Sequence, residues 1–502
     1  MMTFPFIEHE VAATRPICYT LYRGTFVQTP RLGELKVSFN SLIGVDRSGT
    51  IDYIYEDFSP EEDSDSWIID FYIKERDLKG DIDKTQIKYV DVSRNPLQFF
   101  CPGFVDTHIH ASQYPNCGIG LESQLLEWLK VYTYPLEASF TDHNKNKYNL
   151  AQDVYSKVVK RCLASGTTCA SYFATIDPDT TTLLGKILLL LGQRGLIGKV
   201  CLDENPVHQQ YQEDVYSCAE SMESIIKSCE HLNPKNEDLI KPVISPRFAP
   251  VCSRELLQYL GSLANNLQLS VQTHISESKD ENQLVTELFP ECKNYASVYD
   301  NFSLLTSKTI LAHGVYLSEA ERKLVKGRNC SISHCPTSNS FISSGEAPVK
   351  KYMYEDKINM SFGTDVSGGY SPSILEVMKH SLLVSHHLAM KTNSKSEAEE
   401  VKLTIADVLY MATRGGAKAV GMLESLGTFE KGKRWDTQLI DLGSYASNVD
   451  VFEWQLPKPS SHATLHSERR KLVDLLGKWI FTGDDRNCIK VWCNGRLVIE
   501  KE

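Results

Sequence analysis

The chain has 502 residues, of which 42% are hydrophobic and 23% are charged, a composition typical of ordinary globular proteins. Its 64 acidic and 53 basic residues give a formal net charge of −11, which argues against nucleic acid or an anionic membrane as a partner. The 14 cysteines occur without Cys-x-x-Cys spacing, so they predict no zinc ribbon and suit a reducing compartment. The start of the chain lacks the pattern of a signal peptide, and the apolar run Leu183–Leu191 is too short to span a bilayer. We therefore expect a cytoplasmic protein.

The first 100 residues or so are predicted to be rich in β-strands. Three runs mix β-branched and aromatic residues between turn signals, namely Ile17–Val27, Glu34–Val45 and Trp67–Ile73. The acidic stretch Ser59–Ser66 is predicted to be a solvated loop. β-Character returns near the other end of the chain in Asp436–Leu442 and Ile489–Ile499, where Asn494-Gly495 predicts a hairpin.

Between these ends, short apolar runs alternate with helical patterns, which indicates repeated βα units. The predicted strands are Gly103–His108, Thr167–Phe173, Leu196–Leu202, Pro242–Phe248, Leu269–His274, Thr309–His313, Asn329–His334 and Asn359–Thr364. Helical segments separate most of them, with an amphipathic stretch at Val154–Ala164, a cap at Ser253 and a capping box from Ser318 to Glu321. We predict a (β/α)8 TIM-like barrel over 101–430, beside a small β-sandwich domain built from residues 1–100 and 431–502.

The most informative stretch places His108 and His110 at the end of an apolar run. Side chains alternate along a strand, so these two imidazoles are predicted to share one side and to form half of a metal site. The alternative is a pair of ordinary core histidines.

Other polar residues, and one phenylalanine, stand at the ends of further predicted strands, and all strands of a parallel barrel end at one face. They are Arg247 and Phe248, His274 and Glu277, His313, His334, and Asp365. Three imidazoles and a carboxylate, from His108, His110, His274 and Asp365, would suit one zinc ion, with a water as the nucleophile. Iron(II) accepts similar ligands, so it stays as a less favoured alternative.

The remaining residues suggest proton transfer and substrate binding. Asp365 would accept the proton of the water and Glu277 would pass it to the substrate, although Glu277 alone also fits a solvated loop. His313 would hold developing charge, whereas His334 fits a structural role equally well and is not assigned to the site. Arg247 offers donors to a substrate carbonyl or carboxylate, and Phe248 would face a ring or simply pack.

Several longer motifs make the chain recognisable. They are Pro102–Tyr114 (PGFVDTHIHASQY), Leu126–Leu129 (LEWL), Ser245–Phe248 (SPRF), His274–Glu277 (HISE), Ala312–Leu317 (AHGVYL), Ser333–Pro336 (SHCP) and Gly363–Tyr370 (GTDVSGGY). In this order they resemble the amidohydrolase superfamily, and within it most closely the branch that deaminates guanine.

The resemblance implies hydrolysis of guanine to xanthine and ammonia, with a metal-bound hydroxide attacking the ring carbon that carries the amino group. It implies that zinc binds His108, His110, His274 and Asp365. It also implies that Gln113, Arg247 and Phe248 contact the purine, together with His274, Glu277 and Asp365, and that His313 completes the site. It further implies a homodimer. Two alternatives stay open: an amidohydrolase acting on a pterin, a triazine or cytosine, and an inactive relative that serves as a binding protein.

Overall fold

The structure is a computed structural model that describes residues 17–233, 239–457 and 465–501. The start of the chain, on which the signal-peptide prediction depends, lies outside the described residues. Within the described ranges, none of the helices combines the length and the apolar character needed to cross a membrane.

The amino-terminal part forms five strands of a β-domain. They are β1 (Tyr19–Arg31), β2 (Glu34–Asp46), β3 (Ile51–Tyr55), β4 (Ile87–Asp91) and β5 (Gln98–Pro102). β1 pairs antiparallel with β2 and parallel with β4 and β5. The strand predictions for Ile17–Val27 and Glu34–Val45 are therefore confirmed, and the acidic stretch is irregular as far as Ser64.

The strand prediction for Trp67–Ile73 is wrong, because this run lies inside helix α1 (Asp65–Glu75). The Ser64 side chain caps the helix by accepting a hydrogen bond from a backbone N–H of the first turn at 3.3 Å. Ile68 and Tyr72 are four residues apart, so they fall on the same helix face, and both are buried. Aromatic and β-branched residues suit either structure, and here the cap and the four-residue spacing favour the helix.

The central part forms a closed parallel barrel. Its strands are β6 (Phe104–His110), β7 (Thr167–Phe173), β8 (Arg194–Gly198), β9 (Val200–Cys201), β10 (Ile240–Pro246), β11 (Ser270–Ile275), β12 (Thr309–His313), β13 (Ser331–His334) and β14 (Asn359–Phe362). β8 and β9 are interrupted only by Lys199 and share the third position, and β14 pairs with β6 to close the barrel. All eight predicted strand positions are confirmed.

Helices follow most of the barrel strands. They are α2 (Leu125–Trp128), α3 (Tyr134–Ala138), α4 (Lys147–Ala164), α5 (Pro178–Leu191), α6 (Val215–Leu232), α7 (Arg254–Leu267), α8 (Lys279–Leu288), α9 (Tyr295–Asn301), α10 (Glu319–Gly327), α11 (Pro336–Phe341), α12 (Val349–Tyr354), α13 (Ile374–Met390), α14 (Lys395–Val401), α15 (Ile405–Tyr410) and α16 (Gly416–Ala419). A π-helical turn, Leu129–Thr133, joins α2 to α3. The predicted caps at Ser253 and Ser318 are confirmed.

The carboxyl-terminal part returns to the β-domain with β15 (Thr437–Asp441), helix α17 (Leu465–Thr482), β16 (Cys488–Cys493) and β17 (Arg496–Glu500). β15 pairs antiparallel with β5 and with β16, so both ends of the chain share one eight-stranded sheet. The predicted hairpin at Asn494-Gly495 joins β16 to β17. The predicted fold class is confirmed, while the domain boundaries at 100/101 and 430/431 stay a prediction.

Candidate active site

The two histidines at the end of β6 point their rings at the same place. The Nε2 atoms of His108 and His110 are 3.3 Å apart, and both side chains are buried. The alternation of side chains along the strand produces this arrangement, because the residues are two apart and the strand is extended. Two donor atoms that could hold a metal ion therefore lie together at the carboxyl end of the first barrel strand.

His274 and Asp365 bring two more donor atoms to this place. Nε2 of His274, at the end of β11, lies 3.2 Å from Nε2 of His110. Oδ1 of Asp365, just after β14, lies 3.1 Å from Nε2 of His108 and 3.2 Å from Nε2 of His110. The four residues predicted as ligands from the sequence thus form one cluster.

The chemistry of this donor set suits a divalent metal ion. Nδ1–H of His274 donates a hydrogen bond to the main-chain oxygen of Arg247 at 2.6 Å, which leaves the lone pair of Nε2 facing the cluster. Burial lowers the pKa of His108 to about 4 and also lowers the pKa values of His110 and His274, so the imidazoles are neutral, as metal ligands must be. A tetrahedron with about 2.0–2.1 Å from centre to corner has edges of about 3.3–3.4 Å, close to the observed donor separations.

Asp106 holds the first and last barrel strands in register beneath the cluster. Its carboxylate accepts hydrogen bonds from Oγ1 of Thr364 at 2.6 Å and from the backbone N–H of Thr364 at 3.0 Å. The next residue, Asp365, donates its backbone N–H to the carbonyl of His108 at 2.8 Å and has φ of +47°. A non-glycine residue in this backbone region is strained, and such strain commonly accompanies functional sites.

Glu277 and His313 lie on a second side of Asp365. Nε2 of His313 is 3.4 Å from Oε2 of Glu277 and 3.7 Å from Oδ2 of Asp365. Nδ1–H of His313 donates to Oδ1 of Asn339 at 2.8 Å, and Oγ of Ser344 donates to Oε1 of Glu277 at 3.2 Å. Glu277 is buried, so it is no solvated loop residue, and burial with the nearby Asp365 raises its pKa well above the usual range.

A cavity opens beside the cluster. All six predicted purine contacts line it, namely Gln113, Arg247, Phe248, His274, Glu277 and Asp365. Leu125, Trp128, Leu129 and Ile342 supply apolar wall, so the cavity combines flat apolar surface with a few polar groups. Such a lining suits a small planar heterocycle.

Sequence reasoning missed Glu137, which lies in α3 and is fully buried. Its Oε1 accepts a hydrogen bond from Nε2 of Gln113 at 2.8 Å, and its Oε2 accepts one from Nη1 of Arg247 at 2.6 Å. A single glutamate in a short helix far from both partners in sequence carries no pattern that would reveal this contact.

His334 lies at the end of β13, outside the four-residue cluster. Its ring is buried and packs at 6.2 Å from the ring of Phe362, measured between centroids. Burial lowers its pKa to about 3, so the ring is neutral. The structure thus gives His334 core packing, and it does not group this residue with the metal-ligand candidates.

Comparison with known proteins agrees with this architecture. The sequence profile of the amidohydrolase family matches residues 99–498. The chain therefore belongs to the amidohydrolase family. Curated relatives that are 36–40% identical to it over 95–97% of the chain are guanine deaminases, so the resemblance found in the motifs is confirmed.

Two of these relatives come from eukaryotes. The chain is 40% identical over 479 residues to a probable guanine deaminase of Schizosaccharomyces pombe, covering 95% of this chain and 83% of the relative. It is 37% identical over 489 residues to guanine deaminase of Homo sapiens, covering 97% and 98% of the two chains. Among solved structures, guanine deaminase from C. acetobutylicum with bound guanine in its active site matches with a TM-score of 0.78 and 30% identity, covering 95% of this chain and 99% of that one.

Proposed function

We propose that this protein is a zinc-dependent enzyme that hydrolyses guanine to xanthine and ammonia in purine breakdown or salvage. The observation that carries the proposal is a single cavity lined both by the His–Asp cluster and by Gln113, Arg247 and Phe248. The similarity to a solved guanine deaminase that contains guanine supports the same substrate.

Zinc is the metal that the donor set suits best. His108, His110, His274 and Asp365 would hold one ion per chain, and iron(II) is the less favoured alternative. Bound there, zinc supplies a Lewis acid that makes water a usable nucleophile near neutral pH. The remaining steps fall to side chains of this chain.

Glu277 is the proton carrier in this proposal. Burial and the nearby Asp365 raise its pKa, which favours the protonated form, and from that form it would release a proton to the substrate. Asp365 takes the first proton from the water, because one of its carboxylate oxygens faces the histidines and the other faces His313. His313 has its ring fixed by Asn339, and it would stabilise charge that develops beside Glu277.

Arg247 and Gln113 select the substrate. The guanidinium of Arg247 is buried and carries only N–H donors, so an oxo group on the purine satisfies it, whereas the amino group of adenine leaves it unpaired. Phe248 adds an apolar ring to the wall of the cavity. These features favour guanine over adenine, whereas cytosine and a pterin also carry an oxo group and are separated from guanine by the substrate panel.

The test is ammonia release from guanine, adenine, cytosine and a pterin by protein of known metal content. We expect turnover of guanine alone, with about one zinc per chain. Glu277→Gln should lower kcat by about 10²–10⁴-fold while the zinc content stays unchanged, because the amide cannot carry the proton. A fully metallated wild-type protein that leaves guanine intact would contradict the proposal.

Glu321→Gln is the matched control for this experiment. Glu321 is also buried, but it closes the capping box at the start of α10, away from the cavity. Glutamine serves in a capping box too, so turnover should stay near the wild-type value. An equal loss of activity in both variants would indicate general damage instead of loss of the proton carrier.

Location and assembly belong to the same proposal. All 14 cysteines are free thiols, which supports the cytoplasm, a reducing compartment. The homodimer stays a prediction, and light scattering of the purified protein measures it directly.

A further inference from the structure

Glu137 accepts hydrogen bonds from both Gln113 and Arg247, the two residues that donate to the substrate in the proposed reaction. It contributes nothing to the His–Asp cluster. Its two carboxylate oxygens instead serve Gln113 and Arg247 separately, at 2.8 Å and 2.6 Å. The exposed fractions of the Arg247 and Glu137 side chains are 3% and 0%, so water does not screen this ion pair.

The contact with Glu137 fixes the orientation of the Gln113 amide. An ionised carboxylate only accepts hydrogen bonds, so the amide must turn its NH2 group toward Glu137. The amide oxygen of Gln113 then accepts the backbone N–H of Ser367 at 3.3 Å. The second hydrogen of the NH2 group stays available to a ligand, and the amide oxygen already accepts one hydrogen bond from Ser367. Gln113 therefore presents a donor to the cavity.

Glu137 fixes Arg247 in a similar way. One Nη1–H of Arg247 is bound by the carboxylate, and the guanidinium carbon lies 5.0 Å from the centre of the Tyr134 ring. Salt bridge and ring contact together hold the planar fork in one position, with further N–H groups left for a ligand. The main chain of Arg247 is tied as well, since its carbonyl accepts the Nδ1–H of His274.

We propose that Glu137 is a positioning residue that orients N–H donors of Gln113 and Arg247 toward the substrate, and so sets the preference for a purine that carries an oxo group. This inference rests on the proposed function, because the two donors are assigned to guanine there. A purine without the oxo group has no acceptor for these donors, so disturbing their arrangement should change its kcat/KM little. The kcat/KM for guanine should fall more, because guanine uses the donors.

The test compares guanine with 2-aminopurine, which has the same amino-bearing ring carbon and no oxo group. Glu137→Gln keeps the shape but turns one acceptor into an NH2 group, which opposes a donor of Gln113 or Arg247. We expect kcat/KM for guanine to fall about 100–1,000-fold, as when one aimed donor is lost from an active site. The guanine to 2-aminopurine ratio should fall at least about tenfold, and the zinc content should stay at the wild-type level.

Two further variants make the result decisive. Asp436→Asn removes a different buried carboxylate that binds an arginine, Arg194, at 2.8 Å outside the cavity, so it should leave the substrate ratio unchanged. Glu137→Asp keeps the charge but is one methylene shorter, so it serves if the glutamine variant does not fold, and it should lower the ratio by a smaller factor.

Each outcome has one meaning. A lowered guanine to 2-aminopurine ratio in the Glu137 variants, with zinc retained, supports the positioning role. Equal losses on both purines, or an unchanged ratio, would overturn it while the proposed function stands. A wild-type protein with zinc and no guanine turnover would overturn the proposed function, and the role of Glu137 with it.

Discussion

Single substitutions at two buried histidines distinguish a candidate metal ligand from a histidine outside the cluster. His274 offers Nε2 to the cluster, whereas His334, also at the end of a barrel strand, does not belong to it. We predict that His274→Ala lowers the zinc content at least about tenfold and abolishes deamination, since three of four ligands hold the ion much more weakly. Elemental analysis of the purified variants measures the first effect, and ammonia release measures the second.

His334→Ala is the control for that prediction. Removing the buried ring leaves a small cavity, so the free energy of unfolding should fall by about 2–4 kcal/mol. The zinc content should nevertheless match the wild type. Loss of zinc from His334→Ala, or full zinc in His274→Ala, would show that the ligand set is assigned incorrectly.

At the residue scale, the sequence predicts which side chains of the candidate site lie at the ends of the barrel strands. His108, His110, His274 and Asp365 are recognisable because strand periodicity and a parallel barrel together bring such positions to one face. Glu137 is different: its role depends on a contact across 110 residues to Arg247, and its local sequence gives no sign of it. Predictable residues are those whose position follows from local periodicity, and unpredictable ones depend on tertiary contact.

Two helical glycines should respond in opposite ways to the same substitution. A Cβ at Gly261, in α7, would lie 1.8 Å from the carbonyl oxygen of Phe302 at the end of α9. A Cβ at Gly477, in α17, would meet only the side chain of Ile405 at an ordinary 3.5 Å. We predict that Gly261→Ala lowers the free energy of unfolding by about 1–3 kcal/mol, because the two helices must move apart.

Gly477→Ala is the matched case without a clash. Alanine is the better helix former, so the free energy of unfolding should rise by up to about 1 kcal/mol. Denaturant titration followed by circular dichroism compares both variants with the wild type. A stabilised Gly261→Ala would mean that α7 and α9 do not approach as closely as the structure has them.

At the element scale, the sequence predicts a strand or helix correctly where several independent local signals agree. The barrel strands combine apolar runs, turn residues and regular alternation with helices, and each of the eight predicted positions holds a strand. Trp67–Ile73 carries only an aromatic and β-branched composition, which both structures tolerate. The cap at Ser64 and the burial of Ile68 and Tyr72 on one face favour the helix over the strand. A prediction made from composition alone takes neither feature into account.

At the scale of the whole molecule, the β-domain joins both ends of the chain and is tied to the barrel by buried charges. Arg194 on β8 donates from Nε to Asp436 at 2.8 Å, just before β15, and from Nη2 to Asn494 at 2.8 Å. The backbone N–H of Asn494 also donates to Asp436 at 2.7 Å. Arg194 in the barrel is more than 200 positions away in sequence from its partners in the β-domain. The network therefore forms only when the chain is folded, and it links the two parts of the molecule.

Removing the carboxylate from this network should weaken the whole molecule without changing its chemistry. Asp436→Ala leaves the Arg194 guanidinium buried without its counter-ion, and breaking such a pair costs about 3–5 kcal/mol in free energy of unfolding. The comparison is Asp153→Ala, which removes an exposed partner of Lys157 on α4 and should change stability by less than about 1 kcal/mol. Denaturant titration measures both, and equal effects would mean that the Arg194–Asp436 pair does not join the barrel to the β-domain energetically.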